Sequence, residues 1–316
     1  MALLEVKDLK VYFMTQRGPA KAVDNVAFSI EKNETLGLIG ESGCGKTTTA
    51  MSIMRFVKPP GKIVGGSISY MDNDIVSMTD EQIRQLRGKE ISIVRQEAQN
   101  ALNPVLTVGK QITEMIIEHE SVAIETALFR ARKQLDKVGI SDKRITSFPH
   151  EFSGGMKQRA MVAIATACNP KFLILDEPTT GLDVIVQRQI LMLLKNLKKE
   201  LDLTAVFISH DLSVVAETCD RVAVMYAGKI MEESDTISLY SNPLHPYSKA
   251  LIGAYPSLHG ELKQLKSIPG APPSLIDPPP GCRFAPRCER VKDICRKEEP
   301  VVSTIDGRKV ACHMVK

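Results

Sequence analysis

The chain of 316 residues is long enough for one large α/β domain with an appendage, or for two domains. No apolar run approaches the roughly 18 residues of a membrane helix, and the first residues lack the basic and apolar regions of a signal peptide. The net charge is +4, and residues 282–316 carry all of it, with nine Lys/Arg against five Asp/Glu. We therefore expect a cytosolic protein whose main domain is near neutrality and has no general nucleic-acid-binding surface.

The first part of the chain predicts strands that lead into a phosphate-binding loop. Alternating apolar residues at 9–13 and 26–30 predict antiparallel strands, and Thr35–Ile39 is typical of a buried strand. Gly40–Thr47 then fits the pattern G-x-x-x-x-G-K-[ST], in which glycines let backbone N–H groups converge on phosphates. Lys46 would place a positive charge at the β- and γ-phosphates, and the Thr47 hydroxyl would ligate Mg²⁺. The residues predicted to bind the triphosphate are Gly40, Ser42, Gly43, Cys44, Gly45, Lys46, Thr47 and Thr48.

The later elements predict a mostly parallel sheet around this P-loop. Patterns typical of helices lie at about 108–138, 155–167 and 184–200, and a pattern typical of a strand lies at 205–208. The apolar strand Phe172–Leu175 ends in two carboxylates, Asp176 and Glu177. We expect Asp176 to hold Mg²⁺ and Glu177 to polarise the water that attacks the γ-phosphate.

A second phosphate-binding device lies at Phe152–Arg159. Ser153 is suited to cap a helix, and Gly154 and Gly155 allow a close backbone approach to the positive end of that helix. The segment resembles the signature sequence of ABC ATPases, with Phe for the usual Leu and Met-Lys for the usual Gln-Arg. These substitutions leave the Ser-Gly-Gly core of the motif intact.

The resemblance to ABC ATPases implies a fold and a dimer. It implies an α/β P-loop NTPase domain over residues 1–240, with an antiparallel β subdomain and a helical subdomain at about 97–167. In this family the signature of one subunit completes the P-loop site of another, so that ATP lies head to tail between two domains. The chain has one P-loop and one signature, and we expect it to pair with itself or with a paralogue. ATP would hold that dimer together, and hydrolysis would release it.

The same resemblance implies roles for further residues, each by its position between the motifs. Gln96 would contact Mg²⁺ and the attacking water, and His210 would contact the γ-phosphate. Asp183, in Gly-Leu-Asp, would couple the two sites of the dimer. Phe13 is the expected adenine-stacking residue, with Tyr12 as the alternative.

Longer stretches are similar to one branch of the family, the ATPases of dipeptide and oligopeptide importers (the DppD/OppD type). These stretches are Pro149–Met156, Asp176–Leu191 and Asn242–Leu251. The resemblance implies a subunit that hydrolyses ATP to power peptide import, bound to the cytoplasmic face of a membrane permease. Its other partners would be a second ATP-binding subunit and, indirectly, an external peptide-binding protein, with no nucleic acid. One departure is Glu97-Ala98, where the branch usually shows Asp-Pro.

Two other functions stay open at this point. Nickel and metal-chelate importers share much of the pattern, so the sequence indicates the type of transporter more specifically than the substrate that it carries. A soluble ABC-type ATPase of an assembly or nucleic-acid complex is the alternative from another class, although the neutral main domain counts against DNA binding.

Four of the seven cysteines lie in a loop-rich segment, 282–316, behind a Pro-rich connector at 241–281. Such a segment has too little apolar content for a core of its own and needs a staple. Disulfides are disfavoured in the cytosol, which leaves free thiols or a metal centre. The spacings of five, six and sixteen intervening residues lack the short pairs common in zinc sites, whereas four thiolates suit an iron–sulfur cluster.

The peptide-importer branch has a similar tail that holds a [4Fe–4S] cluster. The resemblance therefore implies Cys282, Cys288, Cys295 and Cys312 as cluster ligands, with His313 as the reserve ligand if the metal is zinc. The positive charge of the segment would offset an anionic cluster, and contact with lipid headgroups is the rival explanation of that charge.

Overall fold

The computed structural model describes residues 2–95, 101–254 and 268–315. The chain forms two compact units. The first, which we call the helical unit, consists of Glu31–Asn33 and Ser77–Phe207. The second, the P-loop unit, consists of Ala2–Ile30, Glu34–Val76 and Ile208–Lys316. Within the described ranges, no helix combines the length and the apolar character needed to cross a bilayer.

Strands and helices are numbered in chain order over the described residues. The strands are β1 (Ala2–Thr15), β2 (Gly18–Glu31), β3 (Thr35–Ile39), β4 (Gly61–Tyr70), β5 (Asn73–Asp74), β6 (Ile91–Val94), β7 (Phe172–Asp176), β8 (Thr204–Ile208), β9 (Arg221–Tyr226), β10 (Lys229–Asp235), β11 (Ser303–Ile305) and β12 (Arg308–Val310). The helices are α1 (Lys46–Ile53), α2 (Asp80–Leu86), α3 (Val108–His119), α4 (Ile124–Lys137), α5 (Gly154–Ala165), α6 (Val184–Glu200), α7 (Leu212–Thr218), α8 (Thr236–Ser241), α9 (Pro246–Gly253) and α10 (Asp293–Lys297).

The P-loop unit contains an antiparallel sheet in the order β2-β1-β4-β5. In the β1–β4 ladder, Val6 lies opposite Ile68 and Val11 lies opposite Ile63. Leu9 and Val11 are fully buried, as the alternation of apolar residues predicts. Both predicted strands are present as parts of β1 and β2, and these two strands are neighbours in the sheet.

A second sheet of the P-loop unit has the order β11-β12-β10-β9-β3. β3 is parallel to β9, and every residue of β3 is buried, as expected for an interior parallel strand. β9 and β10 are antiparallel because they are joined by the two-residue turn Ala227-Gly228, whose φ angles of 46° and 84° suit a hairpin. The sheet is therefore more mixed than the predicted mostly parallel one, since β10, β11 and β12 are all antiparallel to their neighbours.

The segment predicted as a Pro-rich connector contains a helix, α9. His245 caps this helix, because its Nδ1 accepts the backbone N–H of Tyr247 at 2.9 Å. The fully buried carboxylate of Glu232 on β10 accepts the N–H groups of Leu244 and His245, both at 2.8 Å. These bonds attach the start of α9 to the second sheet.

The helical unit places β8, β7 and β6 in that order, with β6 and β7 parallel. α3 and α4 occupy the region predicted to be helical, and the chain leaves the helical conformation between them at Glu120–Ala123. The residues that these two helices bury at the apolar spacing of an amphipathic helix are Ile112, Ile116, Ala127, Ala131 and Leu135. α6 spans the predicted residues, from Val184 to Glu200.

Candidate functional site

The predicted P-loop runs from the end of β3 to the start of α1. Gly40, Gly43 and Gly45 have φ angles of 147°, 77° and 107°, which side-chain-bearing residues rarely adopt. A Cβ at Gly40 would overlap the carbonyl oxygen of Met225, and a Cβ at Gly45 would overlap that of Ala22. Both positions therefore require glycine for two reasons, the backbone conformation and the close packing against neighbouring backbone.

Lys46 is the first residue of α1, and it is 7% exposed. Its ammonium donates to the carbonyl oxygens of Gly40 at 2.8 Å and Glu41 at 3.1 Å. Thr47 is exposed and Thr48 is half-buried in the same helical turn. The positive end of α1, the ammonium and the hydroxyl groups thus share one end of the helix, an arrangement suited to phosphate.

The other predicted P-loop residues divide between two sides of the loop. Ser42 and Gly43 are exposed. Cys44 is buried, and its Sγ lies 3.6 Å from Nζ of Lys46. Burial raises the pKa of the Cys44 thiol, although the nearby lysine charge opposes this. Cys44 therefore belongs to the packed side of the loop.

The two aromatic residues predicted near the adenine have different surroundings. The Tyr12 hydroxyl donates to Oδ1 of Asp24 at 2.8 Å. Burial, followed by this hydrogen bond, raises the pKa of Tyr12 to about 12. Phe13 is half-buried, and its ring lies so close to Gly61 that a Cβ there would approach it to 2.8 Å. Tyr12 therefore has a structural partner, and adenine stacking by Phe13 stays a prediction.

The two predicted carboxylates lie at the carboxyl end of β7 in the helical unit. Asp176 is the last residue of that buried strand and is 3% exposed. Glu177 follows with a φ of 50°, in the left-handed region, and its Oε2 accepts the Thr180 hydroxyl at 2.9 Å. The strand therefore brings both acids to its tip, while their roles in metal binding and catalysis stay predictions.

The signature motif forms the beginning of α5. Ser153 is the N-cap, and its hydroxyl accepts the backbone N–H of Met156 at 3.3 Å. The first turn of α5 contains no acidic residue, so no carboxylate within it offsets the positive end of the helix. A Cβ at Gly155 would come within 2.6 Å of Cγ1 of Val186 on α6, which leaves no room for a side chain at that position.

The remaining predicted residues lie at the ends of other elements. Asp183 caps α6 by accepting the Val186 N–H at 2.9 Å. His210 is exposed between β8 and α7. Gln96 lies outside the described residues. His210 and the P-loop belong to the P-loop unit, whereas Asp183 belongs to the helical unit, together with the signature and the β7 carboxylates.

The four cysteines of the C-terminal segment line one cavity of the P-loop unit. Cys282, Cys288, Cys295 and Cys312 are all free thiols, and the cavity is also lined by His245 and His313. The Cys282 N–H donates to the Cys295 carbonyl at 2.8 Å. Over the described ranges, no three His, Cys, Asp or Glu side chains converge closely enough for a preformed single-ion site. The fold therefore brings the four thiols to the lining of one small cavity.

Burial raises the pKa values of three of the four thiols. Burial, together with the neighbouring thiols, raises the pKa of Cys282 to about 11. Burial also raises the pKa values of Cys288 and Cys312. His245 is neutral because burial lowers its pKa to about 4. His313 donates from Nε2 to the Glu298 carbonyl at 2.9 Å, which leaves Nδ1 as its acceptor nitrogen.

The profile of the family described as ABC transporter matches residues 23–180, which include the P-loop, the signature and the β7 carboxylates. The chain belongs to the ABC transporter family. A second profile, that of the oligopeptide/dipeptide transporter C-terminal region, matches residues 231–295, from β10 through three of the four clustered cysteines. As a member of the ABC family, the chain is an ATPase that uses ATP and Mg²⁺.

Two bacterial relatives match almost the whole chain. The oligopeptide transport ATP-binding protein AppD of Bacillus subtilis is 46% identical over 316 residues, which cover 99% of this chain and 96% of the relative. The oligopeptide transport ATP-binding protein OppD of Escherichia coli is 43% identical over 313 residues, which cover 98% and 93%. These ABC proteins therefore share both the cassette and the C-terminal region with this chain.

Solved ABC structures match the cassette. A dimeric ATP-binding cassette, MJ0796, bound to ADP and Pi after hydrolysis, superimposes with a TM-score of 0.67 at 26% identity. The match covers 74% of this chain and 98% of that one. The cassette cbiO1 from Clostridium perfringens gives a TM-score of 0.66, also at 26% identity, and covers 76% and 91%.

The structure adds residues that the motifs of the ABC family did not point to. Arg287 and Tyr247 both bond to Glu41 in the P-loop. Arg283 forms a buried ion pair with Asp24 on β2. The signal in the sequence was the position of the two arginines, one directly after Cys282 and one directly before Cys288.

Proposed function

We propose that this chain is the ATP-hydrolysing subunit that powers import of dipeptides and oligopeptides through a membrane permease. The observation that carries the proposal is the succession of two family profiles in one polypeptide, the cassette at 23–180 and the oligopeptide/dipeptide C-terminal region at 231–295. Relatives named for oligopeptide transport, at 46% and 43% identity over nearly their full length, support it.

ATP binding would assemble two cassettes head to tail. Lys46 and the P-loop backbone would hold the β- and γ-phosphates, and Thr47 and Asp176 would hold the Mg²⁺ that neutralises charge developing on the phosphates. Ser153–Gly155 of the opposite subunit would close the site with the N-terminus of its α5, which the Ser153 cap keeps in a helical conformation.

Hydrolysis would then open the dimer. Glu177 would polarise the attacking water, with Gln96 orienting that water and His210 contacting the γ-phosphate. Asp183 would couple the two sites. Loss of the γ-phosphate removes the bridge between subunits, and a permease attached to both of them would convert the separation into a change of access.

The proposed partners are a second ATP-binding subunit, which is a paralogue or a second copy of this chain, and the integral-membrane permease. The subunit would lie peripherally on the cytoplasmic face of the membrane. An external peptide-binding protein would deliver the cargo, and no nucleic acid would take part.

The test is recovery of the complex from its native membranes, followed by ATPase assays in vesicles. We expect the chain to co-purify with permease subunits, and its ATPase rate to rise with peptides supplied on their binding protein. Nickel chelates, assayed in parallel, should have no effect. Stimulation by a chelate and not by peptides would assign the cargo to a metal importer. Recovery only with DNA or with a soluble complex would overturn the transport function.

We also propose that residues 282–316 form a cysteine-rich segment that holds a [4Fe–4S] cluster on Cys282, Cys288, Cys295 and Cys312. The donor set fits, because four free thiols line one cavity and four thiolates are the ligands of a [4Fe–4S] cluster. Their raised pKa values mean that metal binding must displace protons from at least Cys282, Cys288 and Cys312. The bound cluster would staple a segment that has little core of its own.

Zinc is the alternative occupant, with Nδ1 of His313 as an available ligand atom. Anaerobic purification followed by iron, sulfide and zinc analysis distinguishes the two. Iron and acid-labile sulfide in equal amounts, about four of each per chain, would support the cluster. One zinc per chain without sulfide would rule it out.

A further inference from the structure

The cysteine-rich segment contacts the P-loop through one arginine. Arg287, the residue before Cys288, forms a bidentate ion pair with Glu41, the second residue of the P-loop motif. Nη1 lies 2.7 Å from Oε2, and Nη2 lies 3.0 Å from Oε1. The side chains are 6% and 23% exposed, so the pair is partly removed from solvent screening.

Further bonds fix the Arg287 guanidinium in place. Nη1 also donates to the Tyr226 hydroxyl at 3.1 Å. Nε donates to the Pro269 carbonyl at 2.7 Å, and Nη2 donates to the Ile268 carbonyl at 3.3 Å. All three guanidinium nitrogens therefore donate hydrogen bonds. If the P-loop moved, the Arg287 guanidinium could stay with Glu41 only by breaking its bonds to Tyr226, Pro269 and Ile268.

Three groups of Glu41 form hydrogen bonds, and each bonds to a different residue. Its carboxylate binds Arg287, its N–H donates to the Tyr247 hydroxyl at 3.0 Å, and its carbonyl accepts from the Lys46 ammonium at 3.1 Å. Tyr247 lies on α9, beyond the end of the ABC motifs. Glu41 thus joins the phosphate-binding lysine to two residues of the C-terminal region.

An aromatic cluster joins these contacts to the loop between Cys282 and Cys288. The ring of Phe284 in that loop lies 5.3 Å from Tyr226 and 5.2 Å from Tyr247, centroid to centroid. The rings of Tyr226 and Tyr247 are 4.6 Å apart. The Tyr226 hydroxyl contacts Arg287 and the Tyr247 hydroxyl contacts Glu41. Both hydroxyl groups therefore belong to rings that pack on the cysteine-rich segment.

The negative charge of Glu41 explains why a guanidinium beside it would favour nucleotide binding. A carboxylate within a phosphate-binding loop repels a triphosphate, and the repulsion is strong where solvent screens poorly. A bidentate guanidinium cancels that charge and also fixes the side chain, which a flexible lysine would do less well.

We propose that Arg287 is a positioning residue for nucleotide binding, which neutralises and orients Glu41 and thereby makes the affinity of the P-loop for ATP depend on the cysteine-rich segment. The role of Arg287 holds for any occupant of the cysteine cavity. The dependence on the cysteines themselves rests on the proposed metal centre.

The test measures the Kd for Mg-ATP by titration calorimetry on the full chain, purified without oxygen. Arg287→Ala is expected to raise Kd about five- to tenfold, in the range of ordinary coupling between sites. Arg287→Lys should fall between that variant and the unaltered chain, because it restores one charge without the fork. Arg296→Ala, which removes an exposed arginine from the same segment, is the matched control and should leave Kd unchanged.

The double variant Glu41→Gln/Arg287→Ala distinguishes a loss of affinity caused by the unpaired Glu41 carboxylate from one caused by misfolding of the segment. If the unpaired carboxylate causes the loss, removing it should restore most of the affinity, whereas a misfolded segment would gain nothing. A Kd for Arg287→Ala equal to that of Arg296→Ala would overturn the proposal, and so would a failure of the double variant to recover affinity at an unchanged unfolding midpoint.

Cys288→Ser tests the dependence on the cysteines. It should raise Kd in the unaltered chain but add little in the Arg287→Ala background, because both changes act through the same link. An effect of Arg287→Ala without any effect of Cys288→Ser would keep the positioning role and overturn the dependence on the cysteines. Metal analysis of the same samples reports separately on the proposed centre.

Discussion

At the scale of single residues, Glu177 is the proposed catalytic base, and its backbone has a left-handed conformation. It follows a fully buried strand and has a φ of 50°, which costs a residue with a side chain about 1 kcal/mol or more. Its carboxylate accepts the Thr180 hydroxyl, which fixes the direction of the side chain. Strained backbone that persists beside a buried acid is typical of catalytic positions.

We expect Glu177→Gln to keep ATP binding and to lower turnover by about 10² to 10⁴, because the amide cannot act as a general base. The variant should also accumulate the ATP-bound dimer. Steady-state ATPase assays and gel filtration with Mg-ATP measure the two effects. Lys46→Ala should instead lose nucleotide binding itself, and normal hydrolysis by Glu177→Gln would show that the base lies elsewhere.

At the scale of elements, the contact of α5 with α6 explains why the signature needs its second glycine. Helix propensity alone favours alanine over glycine by about 1 kcal/mol. A Cβ at Gly155 would lie 2.6 Å from Val186, a β-branched residue with little rotamer freedom in a helix. The steric cost of overpacking, about 1–3 kcal/mol, should therefore outweigh the gain in propensity.

Gly155→Ala is expected to destabilise the protein by about 1 kcal/mol and to weaken ATP-driven dimerisation more than ATP binding by the single chain. Thermal unfolding and ATP-dependent gel filtration measure these effects. Gly253→Ala is the matched control, because Gly253 is also helical and a Cβ there would meet nothing within 4 Å. A Gly155→Ala protein that is more stable than the parent would show that α5 and α6 adjust freely.

A buried ion pair attaches the cysteine-rich segment to β2. Arg283 is 3% exposed, and its guanidinium contacts both the Asp24 carboxylate and the Ala227 carbonyl. Burial of Asp24 alone would raise the pKa of its carboxyl. The hydrogen bond from Tyr12 and the charges of Lys229 and Arg283 outweigh burial, so the pKa lies below its usual value.

Asp24→Asn should lower the free energy of unfolding at pH 7 by about 3 kcal/mol, because it leaves the Arg283 charge buried without its partner. A folded-state pKa below the unfolded value means that the carboxylate stabilises the fold above pH of about 4 and loses this effect as the pH falls further. The difference between variant and parent should therefore shrink on acidification. Urea unfolding at a series of pH values measures it, and a constant difference down to pH 3 would contradict the assignment.

At the scale of the whole molecule, the proposed nucleotide site takes its P-loop from one subunit and its signature from another. The chain carries one P-loop and one signature, and each lies in a different compact unit. The structural neighbour MJ0796 is a dimer after hydrolysis. Association of two subunits is a step of the proposed catalytic cycle, because the signature of one subunit is proposed to complete the P-loop site of the other.

We expect the isolated chain to hydrolyse ATP slowly, with a specific activity that rises with protein concentration until the dimer forms. Activity measured over a hundredfold range of concentration, with the dimer fraction measured by light scattering, tests this. Specific activity that stays constant while the protein is monomeric would show that one chain completes its own site.

The family and the local settings of its motifs could be predicted from the sequence, because they depend on short-range patterns. Glycine spacing, a capped helix start and a strand that ends in two acids are all short-range patterns, and the structure places Gly40, Ser153 and Asp176 in these settings. The antiparallel β10–β12 ladder and the helix α9 were missed. The ladder depends on pairing between segments distant in the chain, and the start of α9 depends on hydrogen bonds to the buried Glu232. The periodicity of apolar residues reveals neither.

The sequence by itself determined that this protein is an ABC-type ATPase with a cysteine-rich end, because the phosphate-binding motifs are short local patterns and the clustering of the cysteines is visible along the chain. Only the tertiary structure decided what that end touches. Arg287 and Glu41 are 246 positions apart in the chain, and their ion pair exists because the folding of β9, α9 and the cysteine-rich loop brings them together. No local pattern encodes such a contact, since its energy arises from burial and charge that appear only when the whole unit has formed.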